Sequence, residues 1–199
     1  MEIPLNAHVY CGEVFCGHSR YVVIDPRTSH LTHFVVRTNH LMEPLELVVP
    51  IEWIDQADCH RIQLCHSHAE LMELPLLETL EMLGIWDPEL GHLPFHTVLS
   101  PISRSRFPQV TLNIPKGEEL VKEGSEIRGA DGRRIGWVDE FVINPQSGVV
   151  SHLVMREGHF WHPKIVSVPV RYIQKIENEI VYLSLDELAA EQLPVAEKA

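Results

Sequence analysis

The sequence predicts a mainly β protein of two small antiparallel barrels with short terminal helices. Three observations carry that prediction: one stretch of chain is written twice, each copy reads as short strands separated by turn residues, and each copy ends in the start signals of a short helix. Val22-Val-Ile-Asp-Pro-Arg-Thr-Ser-His-Leu-Thr-His-Phe-Val-Val-Arg37 returns as Phe141-Val-Ile-Asn-Pro-Gln-Ser-Gly-Val-Val-Ser-His-Leu-Val-Met-Arg156. The offset of 119 residues holds without a gap from about residue 6 to Pro75, so Gly17 meets Gly136, Pro50 meets Pro169 and Pro75 meets Pro194. What both copies keep is first a demand of the fold. What one copy alone carries is where a specific function is to be sought.

Within each copy the elements follow in order. A first hairpin turns at Gly12-Glu13 in copy one and at Ala130-Asp131-Gly132 in copy two, where Asp-Gly is the stronger signal. Tyr21 to Ile24 and Leu31 to Val36 are rich in β-branched and aromatic residues, and Asp25-Pro26-Arg27-Thr28-Ser29 between them reads as a turn, matched by Asn144-Pro145-Gln146-Ser147-Gly148. Gly148 can take the positive φ that closes such a loop, whereas Ser29 takes it at a cost. Leu47 to Pro50 and Val166 to Pro169 are further strands, with Pro at a strand end suiting an edge or a termination. Arg61 to Leu64 and Ile180 to Leu183 close the set, and Ser67-His-Ala-Glu70 has capping-box spacing for a short helix whose counterpart starts at Asp186. Closing such a set of strands into a barrel removes exposed edges.

Residues 76 to about 113 belong to neither copy. Leu76, Leu77, Leu80, Met82, Leu83 and Ile85 suggest a helical stretch that extends the first terminal helix and ends at Trp86-Asp87-Pro88. Pro94, Pro101, Pro108 and Pro115 then mark an extended linker. The expected domains are residues 1–78, a helix and linker over 79–113, and residues 114–199.

The chain has 199 residues, 45% of them hydrophobic, enough for two modest cores. Its formal charge is −12, from 28 acidic and 16 basic residues, and residues 1–75 carry 10 acidic against 4 basic. Nucleic-acid binding needs clustered Lys and Arg to displace counterions, so a nucleic-acid partner is disfavoured, as is a polybasic membrane contact. No apolar run reaches the roughly 18 residues of a membrane-spanning helix, and the N-terminus lacks the basic start and apolar stretch of a signal peptide. The expectation is a soluble cytoplasmic protein.

At this point the motifs resemble the PRC-barrel domain. Its pattern is a turn with Asp-Gly, then Ile-Gly, an apolar strand, Asp-Pro-x-Thr-Gly, an apolar strand ending in Arg, and Val-Val-Pro before a terminal helix. Copy two carries it as Asp131-Gly132, Ile135-Gly136, Asn144-Pro145-Gln146-Ser147-Gly148, His152 to Arg156 and Val168-Pro169. Copy one departs from it, with Cys16-Gly17 for Ile-Gly, Ser29 for the turn Gly and Gly12-Glu13 for Asp-Gly. The layout, with its opening Met-x-Ile-Pro-Leu, also resembles bacterial proteins with tandem PRC-barrels. The resemblance implies PRC-type barrels used as docking modules. Relatives are the cytoplasmic part of the photosynthetic reaction-centre H subunit and the C-terminal domain of ribosome maturation factors, which binds a ribosomal protein. Neither carries a catalytic motif to transfer.

Thirteen His stand out in the composition. The densest group is Cys59-His60-Arg-Ile-Gln-Leu-Cys65-His66-Ser67-His68, with donors that zinc accepts. The spacing is poor for a metal, because a strand separates Cys59 and Cys65 by about 20 Å. Copy two has Asn178, Glu179, Ser184, Leu185 and Glu187 there, so no metal site is assigned, and His60, Cys65, His66 and His68 stay weak candidates. His33 and His152, kept in both copies within apolar strands, read as hydrogen-bonded barrel residues. His40 and His159 are kept in loops, and His159-Phe160-Trp161-His162 is either a contact surface or packs against the linker. Cys11 and Cys16 would face each other and bridge across a four-residue loop, whereas a two-residue turn pairs Cys11 with Val14 and prevents it. Free thiols are expected, with Cys65 the less reactive. No nucleophile elbow, phosphate loop or dinucleotide fingerprint occurs, so neither catalysis nor a cofactor is expected. The expected function is a non-catalytic scaffold or adaptor that docks a protein, with peripheral association with a membrane complex or a homo-oligomer both admitted. The alternative is a His-based metal-binding or pH-responsive binding protein.

Overall fold

A computed structural model describes residues 2–39, 44–58, 60–84, 106–144, 147–157 and 164–194. The chain divides into two compact units, one made of Met1–Leu77 with Ile114–Ala199 and the other of Glu78–Asn113. Copy one lays down β1 Glu2–Pro4, β2 His8–Cys11, β3 Val14–Asp25, β4 His30–Thr38, β5 Glu46–Pro50, β6 Ile54–Ala57, β7 Arg61–Leu64 and α1 His68–Leu71. The smaller unit holds β8 Glu78–Gly84 and β9 Arg106–Leu112. Copy two repeats the series as β10 Glu119–Lys122, β11 Glu126–Arg128, β12 Arg134–Ile143, β13 Val150–Glu157, β14 Lys164–Pro169, β15 Ile173–Glu177, β16 Ile180–Leu183 and α2 Glu187–Glu191.

The duplication is visible in the pairing. One sheet runs β5-β4-β3-β2-β7-β6 and the other β14-β13-β12-β11-β16-β15, the same order in equivalent elements. Local signals behave as the residues dictate. Ser29 and Gly148 both adopt positive φ, +57° and +67°, at the ends of equivalent turns. The Asp25 carboxylate accepts hydrogen bonds from the Arg27 N–H and the Thr28 hydroxyl, which hold its carboxyl below the usual range. Ser67 caps α1 in a complete capping box with Glu70, and Asp186 caps α2 by accepting from the Ala189 N–H.

The first strand of each copy joins the other copy's sheet. Strand β1 pairs with β12, Ile3 lying opposite Phe141, and β10 pairs with β3, Val121 lying opposite Val22. Phe141 and Val22 are equivalent positions, so the exchange is reciprocal. The two central turns meet in the same way: the Leu31 N–H donates to the Gly148 carbonyl at 3.1 Å, the Val150 N–H to the Ser29 carbonyl at 2.9 Å, and His30 lies opposite its own counterpart Val149. A local twofold axis therefore relates the copies, and one continuous core runs through both, including Ile3, Phe34, Val121, Phe141 and Leu153. Copy one is also covered on its other face, where Leu77 and Leu120 pack on Val23, Val35 and Val48. That double burial matches its runs of adjacent apolar residues, Val22-Val23-Ile24 and Phe34-Val35-Val36.

Several expectations are corrected. Glu78–Gly84 is a strand where a helix was expected, and its partner Arg106–Leu112 lies in the expected linker. The apolar residues there fit either period. The partner strand decides for β, a non-local contribution that outweighs local propensity. The sheets are also not wholly antiparallel, since β2 pairs with β7, and β11 with β16, in parallel. Among the described residues backbone pairing leaves each six-strand path open, with β5 and β6 at the ends of one and β14 and β15 at the ends of the other. No helix among the described residues is long and apolar enough to cross a membrane.

Candidate functional site

Among the described residues, the smaller unit presents three exposed large apolar side chains on one short ribbon. In the β8–β9 ribbon, Leu80 lies directly opposite Val110 and Glu78 opposite Leu112, so alternation places Leu80, Val110 and Leu112 on one face. All three are exposed, Leu80 by 62% and Val110 by 55%. Thr79 and Thr111 take the other face, where the Asn113 amide donates to the Thr79 hydroxyl at 2.6 Å. A two-stranded ribbon is marginal by itself and normally gains stability from a further strand or a second layer on its apolar face. The period-2 pattern Val110-Thr111-Leu112 was present in the sequence, but the surrounding prolines favoured reading it as linker.

The expected contact surface His159-Phe160-Trp161-His162, with His40 and Cys59, lies outside the described residues. The weak metal candidates are only partly brought together. Cys65 Sγ lies 3.1 Å from His66 Nδ1, and the His66 ring stacks on Trp53 at 3.9 Å. His60 sits at the opposite end of β7, about 15 Å of extended chain from Cys65. Among the described residues no three His, Cys, Asp or Glu side chains are grouped to hold a metal. His33, half-buried, contacts the Thr32 hydroxyl through Nδ1 at 3.0 Å, and His152 is half-buried in β13.

A different His group forms on β2 and β3. His8 and His18 lie opposite each other with ring centroids 4.8 Å apart, and Phe15 packs edge-on to both. Burial and then the neighbouring His8 lower the pKa of His18.

The same hairpin settles the geometry of Cys11 and Cys16. The turn is the two-residue one, with Cys11 opposite Val14, yet a bulge leaves Cys16 as an extra residue in β3 and turns its side chain to the face of Cys11. Both thiols are buried and their sulfurs are 2.8 Å apart. Burial first, and then the hydrogen bond and charge shared with the Cys16 sulfur, push the Cys11 thiol up to about 12. Turn length therefore does not keep these thiols apart, because the bulge restores the facing that the turn removes. Cys65 is exposed, which reverses the expected order of reactivity.

Bulges recur at Arg20 and Asp139, equivalent positions in β3 and β12. In copy two Arg156 spans two carboxylates, Nε to Asp139 at 3.0 Å and a terminal nitrogen to Glu123 at 3.0 Å. Pro4 to His8, His60, Glu123, Asp139 and Glu140 line an acidic cleft beside this pair. In copy one His18, Arg20, Arg37 and Thr38 line a cleft of their own.

The family model for the PRC-barrel domain matches residues 123–189, from the residues just before β11 into α2, so a PRC-barrel domain is present in copy two. No curated protein matches the chain.

Proposed function

We propose that the chain is a non-catalytic scaffold or adaptor that uses two PRC-type barrels to dock a protein partner in the cytoplasm. The PRC-barrel match supports this for copy two, and the equivalent strand order supports it for copy one. Barrel closure is supported by the connection of the open ends. Strands β5 and β6 are joined by the single 3-10 turn Ile51–Trp53, and β14 and β15 by Val170–Tyr172, so each path returns to its start at one corner. The observation that carries docking is the exposed Leu80–Val110–Leu112 face, since paired apolar side chains on a thin ribbon are stabilised by a covering partner. The partner is a component of a larger assembly or a second copy of the chain. The test compares full-length protein with the L80D/V110D double variant as bait in native lysate, with size measured by light scattering. A partner, or a dimer, retained by the parent protein should be lost by about tenfold or more in the variant. Equal retention by both would defeat the reading.

The His8–His18 pair favours a second, pH-responsive reading, and stoichiometric zinc or nickel in untagged protein would favour a metal-binding form of it. With the His18 pKa lowered in the folded state, the unfolded chain takes up the proton first. This contribution to stability is therefore complete above the ordinary His value near 6.5 and is lost as pH falls through that value toward the lower folded one. The urea midpoint should drop between pH 7.5 and 5.5, and drop less in His18→Gln. An identical drop in both proteins would rule His18 out as the sensor.

A further inference from the structure

Residues 1–75 contain four basic side chains, and two of them, Arg20 and Arg37, line one cleft with His18, Asn6, Thr38 and Asn39. Of the other two, Arg61 is engaged with the Tyr10 ring and the Gln63 amide, and Arg27 sits in the Asp25 turn. Arg20 and Arg37 are exposed, and among the described residues neither guanidinium has an ion pair, a hydrogen bond or a ring contact.

Copy two shows what this frame holds. There the bulged residue is Asp139, the strand-opposite arginine is Arg156, and Arg156 bonds to Asp139 and to Glu123. Register and bulge are the same in copy one, so Arg20 occupies the place of Asp139 and Arg37 that of Arg156. By the register of the exchanged strands the counterpart of Glu123 is Leu5. Copy one has thus lost both carboxylates and gained a guanidinium at the spot where its arginine would receive one. Two like charges brought together in a chain of net charge −12 are a local reversal of sign. Screening over about 8 Å at physiological salt lets that local pair outweigh the distant acidic residues.

We propose that this cleft binds carboxylates of an acidic protein segment, with Arg37 taking one in the manner of Arg156 and Arg20 a second. Planar guanidinium groups suit two-oxygen ligands, and the Asn6 and Asn39 amides can donate at the margins. The inference rests on the docking reading and gives the partner an acidic contact distinct from the apolar ribbon.

The test is titration of isotope-labelled full-length protein with a blocked tetraglutamate peptide, following the arginine side-chain and backbone amide signals by NMR. Saturable shifts at Arg20, Arg37, His18 and Asn6 are expected, with affinity falling about tenfold or more in R20D, the scale of one charge-assisted contact. R20D restores the acid–arginine pair of copy two, so it should fold with unchanged spectra elsewhere. Absence of saturable shifts in the parent protein overturns the proposal, as does equal binding by R20D. Inorganic phosphate in a parallel titration should bind more weakly; tighter phosphate binding at the same signals would overturn the carboxylate assignment. If the peptide fails while L80D/V110D still loses its partner, docking stands and only the acidic contact falls.

Discussion

Replacing Gly17 by alanine is expected to destabilise the fold by at least about 3 kcal/mol, more than the same methyl added at Gly136 or Gly148. A Cβ on Gly17 would stand 2.1 Å from the Arg37 carbonyl oxygen and 2.8 Å from its carbon, both rigid backbone of the neighbouring central strand. The residue also sits at φ +149°, where a side chain is strained whatever the space. Gly136 has the same neighbour in copy two: its Cβ would meet the Arg156 carbonyl at 2.6 Å and the Met155 side chain at 2.7 Å. Met155 can give, but the carbonyl cannot, so Gly136→Ala should be costly and somewhat less so. The turn glycine sets the contrast. At Gly148 a Cβ would meet only the Leu31 carbonyl at 3.5 Å, leaving the positive φ as the cost, about 1 kcal/mol for alanine. Urea denaturation of the three variants should give midpoint losses in the order Gly17, Gly136, Gly148. A Gly17→Ala protein as stable as Gly148→Ala would show that the strands can spread at this point and that the close approach is not a requirement of the fold.

That ordering explains how the glycines were legible. Gly17 and Gly136 were visible as positions kept by both copies, and the close strand approach supplies the physical demand that kept them. Ser29, Gly148, Ser67 and Asp186 were legible for a related reason, since turns and caps are decided by a few adjacent residues. Features that depend on distant partners were not. Glu78–Gly84 has apolar residues that suit a helix as well as a strand, and only pairing with Arg106–Leu112 separates the two. The facing thiols of Cys11 and Cys16 depend on a bulge that neither turn length nor hydrophobic pattern announces. Of the candidate sites, the histidine cluster drew notice because of composition, whereas the Arg20–Arg37 cleft shows only when each copy is read against the contacts of the other. The signal was a substitution at one aligned position, arginine for aspartate. Its meaning needed the observed Asp139–Arg156 pair.

The strand exchange has the largest consequence for truncated chains. Residues 114–199 carry the better motif set, and a reading in which each copy is a complete barrel expects that fragment to fold alone. Expressed by itself, the fragment lacks β1, so Phe141 loses Ile3 from the adjacent strand, and the carbonyl and amide groups that β12 turns toward β1 lose their partners. Its own β10 would have no β3 to pair with, exposing Val121, which is fully buried in the intact chain. Losing the burial of Ile3 and Val121 alone costs about 1.5–3 kcal/mol each, and the turn contacts at His30–Val149 go as well. Against a typical total of 5–15 kcal/mol for a whole domain, a fragment of less than half the chain does not retain a stable native state. The expected result is a broad, weakly cooperative melt for residues 114–199 and for residues 1–77 separately. Mixing them at equal concentration should restore a sharp transition with a midpoint that rises with concentration, because association then supplies both exchanged strands. Circular dichroism melts and sedimentation of the mixture measure this. A sharp, concentration-independent transition for either fragment alone would mean that its first strand folds back onto its own sheet, occupying the place that the other copy's strand holds in the intact protein.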